Sequence, residues 1–456
     1  KFNGDGPVKI FIPMHVFNNF GGIINHNEQL IAGLKDLGHE VTFAYIKPTH
    51  TAPKPVDVST CPEGYVMGAG TGYPVHQGKG WIAPYYSLKN NDSIKKFVED
   101  ANKHDIVIWQ SVFGFKNAET EKYTDWIPMI EDVNAKQVVI VHDGNLKKLY
   151  SWIHKFSHKF SGIACVHPAA YKSADFMPVP RNMLLNPQDL SEIPTPGLWE
   201  NRKDVILSLQ TFKRWKRVDD LVYAIPYING KVIVAGDGME RAYMTSPDKC
   251  KPEYHCTKEK DSNATDDMVG KKIWDNAMAT GNMAYVGFIT EGKRDSILNN
   301  SKFLIDTSWT TTYGEHFNRV IVDAMRVGVV PIARNLGVSD YEHGNGTLFK
   351  VDENYLMIPA DATPKQFGDY INKYLNISQE KYEQIVQNNY EVLKLFDRKT
   401  IAQQYIDLAM GKDAGYYAKN EIGSLATSPK AVSTGNKLWE DHFEVANVAV
   451  LDEFFG

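Results

Sequence analysis

The sequence predicts an α/β chain built from two doubly wound, Rossmann-like units facing each other across a cleft. Three observations predict it. Short apolar runs that read as buried strands alternate with helical stretches through both halves. A Pro-rich polar connection at 186–204, NPQDLSEIPTPGLWENRKD, separates the two series. The 456 residues exceed what one core usually serves, and with 43% apolar side chains they can fill two.

The first series opens with the strand VKIFIPM at 8–14, a loop containing Gly21 and Gly22, and a helix whose apolar positions Ile24, Leu30, Ile31 and Leu34 recur at helical spacing. Gly38 stops that helix and a strand follows at 41–46. Further strands are expected at 106–109, 137–141, 162–166 and 183–185. The second series begins at Val205 and continues with strands at 232–235, 283–286, 303–306 and 329–333. A polar stretch at 245–271 interrupts it and reads as an insertion. These boundaries give a first domain over 1–195, a second over 196–430, and a terminal segment over 431–456 with a helical pattern at 438–455.

Composition excludes several classes. No run approaches the eighteen or so apolar residues that a membrane-spanning helix needs, and no signal peptide precedes the first strand, so a cytoplasmic enzyme is expected. The four cysteines, at 61, 165, 250 and 256, are scattered. Cys250, His255 and Cys256 invite a zinc site but lack a fourth ligand at suitable spacing, and reduced thiols are the expectation. Ligands of parallel α/β units gather at the carboxyl ends of the strands, which directs attention to the residues placed there.

The segment YGEHFNRVIVDAMRVGVVPIA, 313–333, is the most informative. Glu315 falls in the turn after an apolar strand, and Asp323 lies eight residues on, inside a helix expected over 317–327. At 1.5 Å rise per residue the two carboxylates stand on the order of 10 Å apart along the axis. Between them lie the first-turn amides of Phe317, Asn318, Arg319 and Val320, which attract phosphate. A sugar diphospho-nucleoside fits this ruler, with hexose hydroxyls on Glu315, diphosphate on the amides and ribose hydroxyls on Asp323. An acidic start to an ordinary helix, with Asp323 on a solvated face, is the competing reading.

This segment resembles the donor-binding signature of retaining glycosyltransferases with the GT-B fold, where a Glu, seven residues and a second Glu precede Ala-Met and a Gly-x-Pro-Val type strand. Glu315, Phe317, Ala324, Met325, Gly328 and Pro331 match, Asp323 stands for the second Glu, and His316 and Asn318 replace glycines. The resemblance implies a nucleoside-diphosphate sugar of UDP or GDP type as donor substrate, with no cofactor required, and a terminal helix within 431–456 that crosses back to the first domain. It also implies that Gly22 approaches the donor, and that His142, at the end of the strand QVVIV and followed by Asp143, hydrogen-bonds the transferred sugar. Lys216 matches the family's phosphate-binding Lys, while Thr211 occupies the place of its Arg and Arg217 that of its Gly. Lys213 or Arg214 is expected to supply the missing cation, Arg214 for its bidentate geometry. Gly236, in VIVAGDGMER, resembles the glycine turn beside the nucleotide.

The implied reaction retains configuration at the anomeric carbon. A retaining glycosidase would need two carboxylates about 5 Å apart, and the ruler above is too long. Catalysis is then expected to rest on neutralising the departing diphosphate, with His142, Glu315 and Lys216 at the reacting centre. Asp266-Asp267 is not placed at a strand end, and no metal is expected.

For the acceptor, residues 144–174 hold no Asp or Glu, while Lys147, Lys148, Lys155, Lys159 and Lys172 are present. Lys148, Lys155 and Lys159 would share one face of a helix, either a solvated face or one that tracks phosphates. The layout is more distantly similar to bacteriophage glycosyltransferases that modify hydroxymethylated cytosine in DNA, through Gly-His-Glu-Val at 38–41, His142-Asp143 with the basic residues after it, and Trp215-Lys216. That resemblance implies duplex DNA as partner, a base flipped from the stack, Asp143 and Lys147, Lys148, Lys155 and Lys159 as acceptor contacts, and the host cytoplasm as location. A glycan or lipid-linked acceptor is the alternative, and a non-catalytic sugar-nucleotide binder the alternative of another class. A dinucleotide oxidoreductase is disfavoured, since no Gly-x-Gly-x-x-Gly follows the first strand.

Overall fold

The computed structural model describes residues 6–14, 22–47, 65–67, 82–87, 91–110, 130–142, 151–190, 199–212, 216–238, 241, 244, 269–289, 291–308, 319–334, 348–359 and 361–412. The chain forms two compact units, one of 1–191, 344–346 and 394–423, the other of 192–343, 347–393 and 424–456.

The first unit is an eight-stranded sheet in the order β3-β4-β2-β1-β5-β6-β7-β8. Its strands are β1 (Lys9–Met14), β2 (Glu40–Lys47), β3 (Tyr65–Met67), β4 (Ile82–Ser87), β5 (Ile106–Gln110), β6 (Lys136–Val141), β7 (Phe160–Cys165) and β8 (Arg181–Met183). All neighbours run parallel except β3, which pairs antiparallel with β4 at the edge. The central strands β1 and β5 are buried almost throughout, the pattern of parallel strands covered on both faces. Helices α1 (Gly22–Asp36), α2 (Asn91–Ala101) and α3 (Pro168–Ser173) provide connections. Phe11, Phe97 and Trp109 form the aromatic centre of the core, with ring centroids 5.4 and 5.6 Å apart along the series. The one polar atom of that indole is satisfied, Trp109 Nε1 donating to Gln137 Oε1 at 2.8 Å.

The second unit is a parallel six-stranded sheet, β11-β10-β9-β12-β13-β14. It comprises β9 (Lys203–Leu209), α4 (Val218–Ala224), β10 (Lys231–Ala235), α5 (Val269–Ala279), β11 (Met283–Gly287), α6 (Glu291–Asn299), β12 (Ser301–Asp306), α7 (Arg319–Arg326), β13 (Val330–Arg334), β14 (Leu356–Ile358), α8 (Pro364–Leu375) and α9 (Gln379–Leu393). β9 and β12 lie at the middle of the sheet and present their apolar residues to helices on both faces. Two such sheets realise the α/β, doubly wound class that the sequence predicts.

The chain re-enters the first unit at residue 394 and forms α10 (Arg398–Ala409). The terminal helix expected within 431–456, like residues 245–268 of the expected insertion, lies outside the described residues. The helix that returns is capped by Asp397, whose side chain accepts from the Thr400 amide. Its start lies close against Gly33 of α1, where an added Cβ would stand 2.4 Å from the Arg398 carbonyl oxygen, and its Leu408 fills the space beside Gly162 of β7. Arg398 pairs with Asp36 at 2.8 Å and with Asp189 at 3.3 Å, tying the start of α10 to α1 and to the strand exit.

A Gly33→Ala substitution separates propensity from packing. In a free helix it would stabilise by roughly 0.5–1 kcal/mol, whereas overpacking against backbone costs about 1–3 kcal/mol, and the contact here is with backbone. A lower midpoint of urea unfolding is expected, and a raised midpoint would show that α10 does not seat on α1 as described.

Candidate functional site

In the first unit, polar side chains converge where β1, β5 and β6 end. Gln110 is the last residue of β5 and is fully buried, and His142 follows β6 and is half-buried. His142 Nε2 lies 2.8 Å from Gln110 Oε1, and Gln110 Nε2 donates to Asn27 Oδ1 at 3.2 Å. The His142 carbonyl accepts from His167 Nε2 at 3.0 Å, which anchors the backbone after the strand. His26, one turn into α1, sets its ring edge-on to that of His142 with centroids 5.0 Å apart. Its nitrogens reach Asn186 Oδ1 at 2.8 Å and the Tyr405 hydroxyl at 3.0 Å. Tyr405 belongs to α10, so the returning helix completes the histidine cluster.

Burial first, then neighbouring His26 and His167, hold the His142 imidazole well below its usual 6.5. A neutral ring at neutral pH is thus a property of the fold. Gly22 is the first residue of α1. Asp143, Lys147 and Lys148 lie outside the described residues. The helical face expected for the lysines is corrected by the structure: Ser151–Lys159 is a 3-10 helix. With three residues per turn, Lys155 and Lys159, four apart, point about 120° away from each other rather than along one face. The segment is also not purely basic in its surroundings, since Glu131 pairs with His158 at 3.4 Å.

In the second unit the ends of β9 and β12 are joined by a glutamine. Gln210 Nε2 donates to Asp306 Oδ1 and to Ser308 Oγ, each at 2.9 Å, and its Oε1 accepts from the Thr307 amide at 3.3 Å. The Thr307 hydroxyl has one proton to give, and the shorter contact, 2.6 Å to the Lys216 carbonyl against 3.0 Å to Gln210 Oε1, takes it, so the loop carrying Lys216 is fixed to the chain that leads toward Glu315. Glycine is obligatory beside it: Gly236 has φ +111°, and a Cβ there would stand 1.9 Å from the Gln210 carbonyl oxygen. Gly238 is held likewise, 2.5 Å from the Phe212 carbonyl oxygen. The expected Gly-x-Gly turn thus serves to let the 210–212 loop close over the end of β10.

Lys213, Arg214, Glu315, Phe317 and Asn318 lie outside the described residues. The helix expected over 317–327 is described from Arg319, with Val320 in its first turn and buried. Asp323 is 9% exposed, and Arg294 of α6 meets its Oδ2 at 3.2 Å. It is therefore not on a solvated face. Arg217, in the place of the family's Gly, adopts φ 52°, a left-handed conformation rare outside glycine. It grips Asp220 through two nitrogens at 2.6 and 3.1 Å, and Arg334 from the end of β13 joins the same carboxylate at 2.5 Å.

Sequence reasoning missed Gln110, His26, His167, Gln210 and Arg294. The partners described above lie 25 to 379 residues away, and only the alternation of apolar strand with terminal polar residue, as in IVIWQ, carried a signal. Cys165 is buried and its thiol is pushed up to about 12 by desolvation, which fits an inert core thiol. Among the described residues no cluster of three metal-binding side chains occurs, and Cys250, His255 and Cys256 lie outside them. No helix among the described residues is long and apolar enough to cross a membrane.

The depressed His142 value has a sign. The folded protein binds fewer protons than the unfolded chain below 6.5, so stability is expected to fall as pH drops from about 6.5 and to be flat for this group above it. Urea midpoints measured from about pH 7.5 to about pH 5 should show a slope that His142→Gln reduces. An identical slope in the variant would assign the neutral state to other groups.

Residues 191–392 match the model of glycosyl transferases group 1, and no curated protein sequence matches the chain. Similar solved structures include Anabaena HepE with UDP-glucose, at 14% identity over 88% of this chain and 99% of that chain with a TM-score of 0.56. An alpha-glucosyltransferase solved with UDP and a 13-mer DNA containing an HMU base has 12% identity, covers 89% and 100% of the two chains, and scores 0.60. Sucrose-phosphate synthase from Thermosynechococcus elongatus has 14% identity, 88% and 98% coverage and a score of 0.56. The fold is that of the GT-B enzymes, two Rossmann-like units, and the match to glycosyl transferases group 1 falls on the second of them.

Proposed function

We propose that the protein is a retaining glycosyltransferase that moves a sugar from a UDP- or GDP-type donor to an acceptor hydroxyl, and that the acceptor is a hydroxymethylated base in duplex DNA. The observation that carries the transferase reading is the Lys216 loop, tied through Thr307 and Gln210 to the segment that leads into Glu315. In this reading Glu315 takes the hexose hydroxyls. Lys216 with Lys213 or Arg214 takes the diphosphate, together with the amides of Phe317, Asn318, Arg319 and Val320. Asp323, oriented by Arg294, takes the ribose, Gly236 borders the nucleotide, and Gly22 and His142 meet the donor from the first unit.

In the reaction the bond between the anomeric carbon and the phosphate oxygen breaks, and the diphosphate leaves with the electron pair. The acceptor oxygen bonds to the anomeric carbon on the same face, and its proton passes to the departing phosphate oxygen. Cations and amides already aimed at the diphosphate stabilise the charge that develops there, without reorganisation at the moment of reaction. No metal is assigned a part in this scheme.

The DNA reading is supported by the acid-free stretch at 144–174, with Asp143, Lys147, Lys148, Lys155 and Lys159 as acceptor contacts, and by the likeness to the DNA-bound alpha-glucosyltransferase. A glycan acceptor is the second reading. It is favoured by the likeness, at 12% identity and a TM-score of 0.56, to S. aureus TarM, solved with fondaparinux, alpha-GlcNAc-glycerol and UDP.

Two measurements test the proposal. Release of nucleoside diphosphate from a panel of nucleotide sugars should require acceptor, and Lys216→Met or Glu315→Gln should each lower kcat by about a hundredfold or more. Release that is independent of both residues would end the transferase scheme. For the acceptor, affinity for duplex DNA containing hydroxymethylcytosine should fall steeply and linearly in log–log form as salt rises. Turnover on a glycan with salt-insensitive, negligible DNA binding would select the second reading.

A further inference from the structure

The direction of each hydrogen bond in the first unit can be read from one atom that has no proton to give. Asn27 Nδ2 donates to the thioether sulfur of Met14, 3.5 Å away, and a thioether only accepts. With its amide nitrogen turned to Met14, Asn27 shows Oδ1 to Gln110, which must donate from Nε2 at 3.2 Å. Gln110 is then left with Oε1 facing His142 Nε2 at 2.8 Å, and the ring nitrogen must be the donor. Reversing the line would point an amide oxygen at the sulfur lone pairs and leave the buried Asn27 and Gln110 with one bond fewer.

Nothing else contradicts the assignment. His167 is fixed by two neighbours of known role: the Ala170 amide donates to its Nδ1 at 3.1 Å, and its Nε2 donates to the His142 carbonyl. His26, with Asn186 Oδ1 at one nitrogen and the Tyr405 hydroxyl at the other, accepts from that hydroxyl at Nε2. Both rings are neutral donors or acceptors on this pattern, and the edge-on packing of His26 against His142 at 5.0 Å opposes a charge on either. The ring of His142 thus holds its single proton on Nε2, and no described residue donates to its Nδ1.

We propose that Gln110, polarised through Asn27 by Met14, is a positioning residue that locks His142 in the Nε2–H tautomer, so that Nδ1 meets the donor sugar as an acceptor and selects a hydroxyl that can donate. The second half of this statement rests on the proposed role of His142; the tautomer itself does not. A carboxylate in the place of Gln110 would hold the same proton but would favour a charged ring. An amide keeps the ring neutral, which leaves Nδ1 a lone pair to offer.

Imidazole nitrogen NMR of the full chain, labelled at histidine and assigned with a His142→Gln variant, reads the tautomer without any substrate. The expected spectrum shows His142 neutral, with a protonated Nε2 and a bare Nδ1. Gln110→Leu should populate both tautomers, and Gln110→Glu should keep the proton on Nε2 while raising the pH at which the ring becomes charged. A wild-type ring protonated at Nδ1, or a tautomer unchanged in Gln110→Leu, would overturn the proposal, and the wild-type spectrum decides it even where the leucine variant does not fold. In donor kinetics Gln110→Leu should raise KM by about tenfold, as for one hydrogen bond lost to a polar ligand group, and Gln110→Glu should recover part of it at high pH. The tautomer found as stated, with no effect of either variant on donor KM, would refute the part assigned to Nδ1; donor turnover indifferent to His142 as well would refute the functional reading beneath it.

Discussion

Parallel strands covered on both faces leave little room for polar side chains along their length, and the structure depends on how this chain meets that constraint. Hydrophobic burial fills the strands, as in KIFIPM and IVIWQ, and the polar residues that follow are pushed to the carboxyl ends. Each such residue leaves water at the edge of a core, where an unmet hydrogen bond costs about 1–3 kcal/mol. The chain meets this cost by pairing strand-end residues with one another across the sheet. Gln110 reaches from β5 to the residue after β6, and Gln210 from the end of β9 to the end of β12. Both glutamines use the oxygen and the nitrogen of the amide, which an apolar or singly functional side chain could not do.

The departures from the donor signature are absorbed by the same logic. Arg217 in a left-handed conformation costs roughly 1–2 kcal/mol relative to glycine. Its guanidinium is almost wholly buried and lies between Asp219 and Asp220, sharing the second with Arg334. A charge-assisted bidentate pair is worth more than a neutral hydrogen bond, so the backbone strain and the buried cation support each other. Asp323 is shorter than glutamate by one methylene, and Arg294 holds one of its oxygens. A carboxylate fixed at one oxygen can still accept at the other, with less freedom than an exposed glutamate would have.

Much of the fold was legible in the sequence because its cues are local. Runs such as VVIV at 138–141 and VIVA at 232–235 are apolar over most of a strand, and helices end at residues such as Gly38. What escaped lacks that signature. β3 and β14 are three residues long, β4 lies next to the edge strand and carries two tyrosines, and the returning helix α10 has Gln, Tyr and Asp interspersed with its apolar residues. The lysine face was misread because periodicity cannot separate a 3-10 helix from an α-helix over nine residues. For the candidate site, His142 and Lys216 stand at strand ends or beside a motif and can be singled out from the sequence. His26, His167 and Gln110 were not, since a helix residue, a loop residue and a strand-end amide acquire a shared purpose only when the sheet brings them together.

The returning helix gives that cluster its reach. Tyr405 sits at the middle of α10, and its hydroxyl is held well above its usual value by burial, so it remains a donor to His26. His26 in turn lies edge-on to His142. The stability of α10 on α1, set by Gly33, Gly162 and the Arg398 pairs, is therefore coupled to the environment of a residue at the end of β6. A ring packed between a neutral imidazole and a buried glutamine cannot be charged cheaply, and it cannot rotate without breaking the bond that names its tautomer. Preorganisation of this kind is built from groups that never touch a ligand, and it explains why the chain places three histidines where a single one would suffice to make one hydrogen bond.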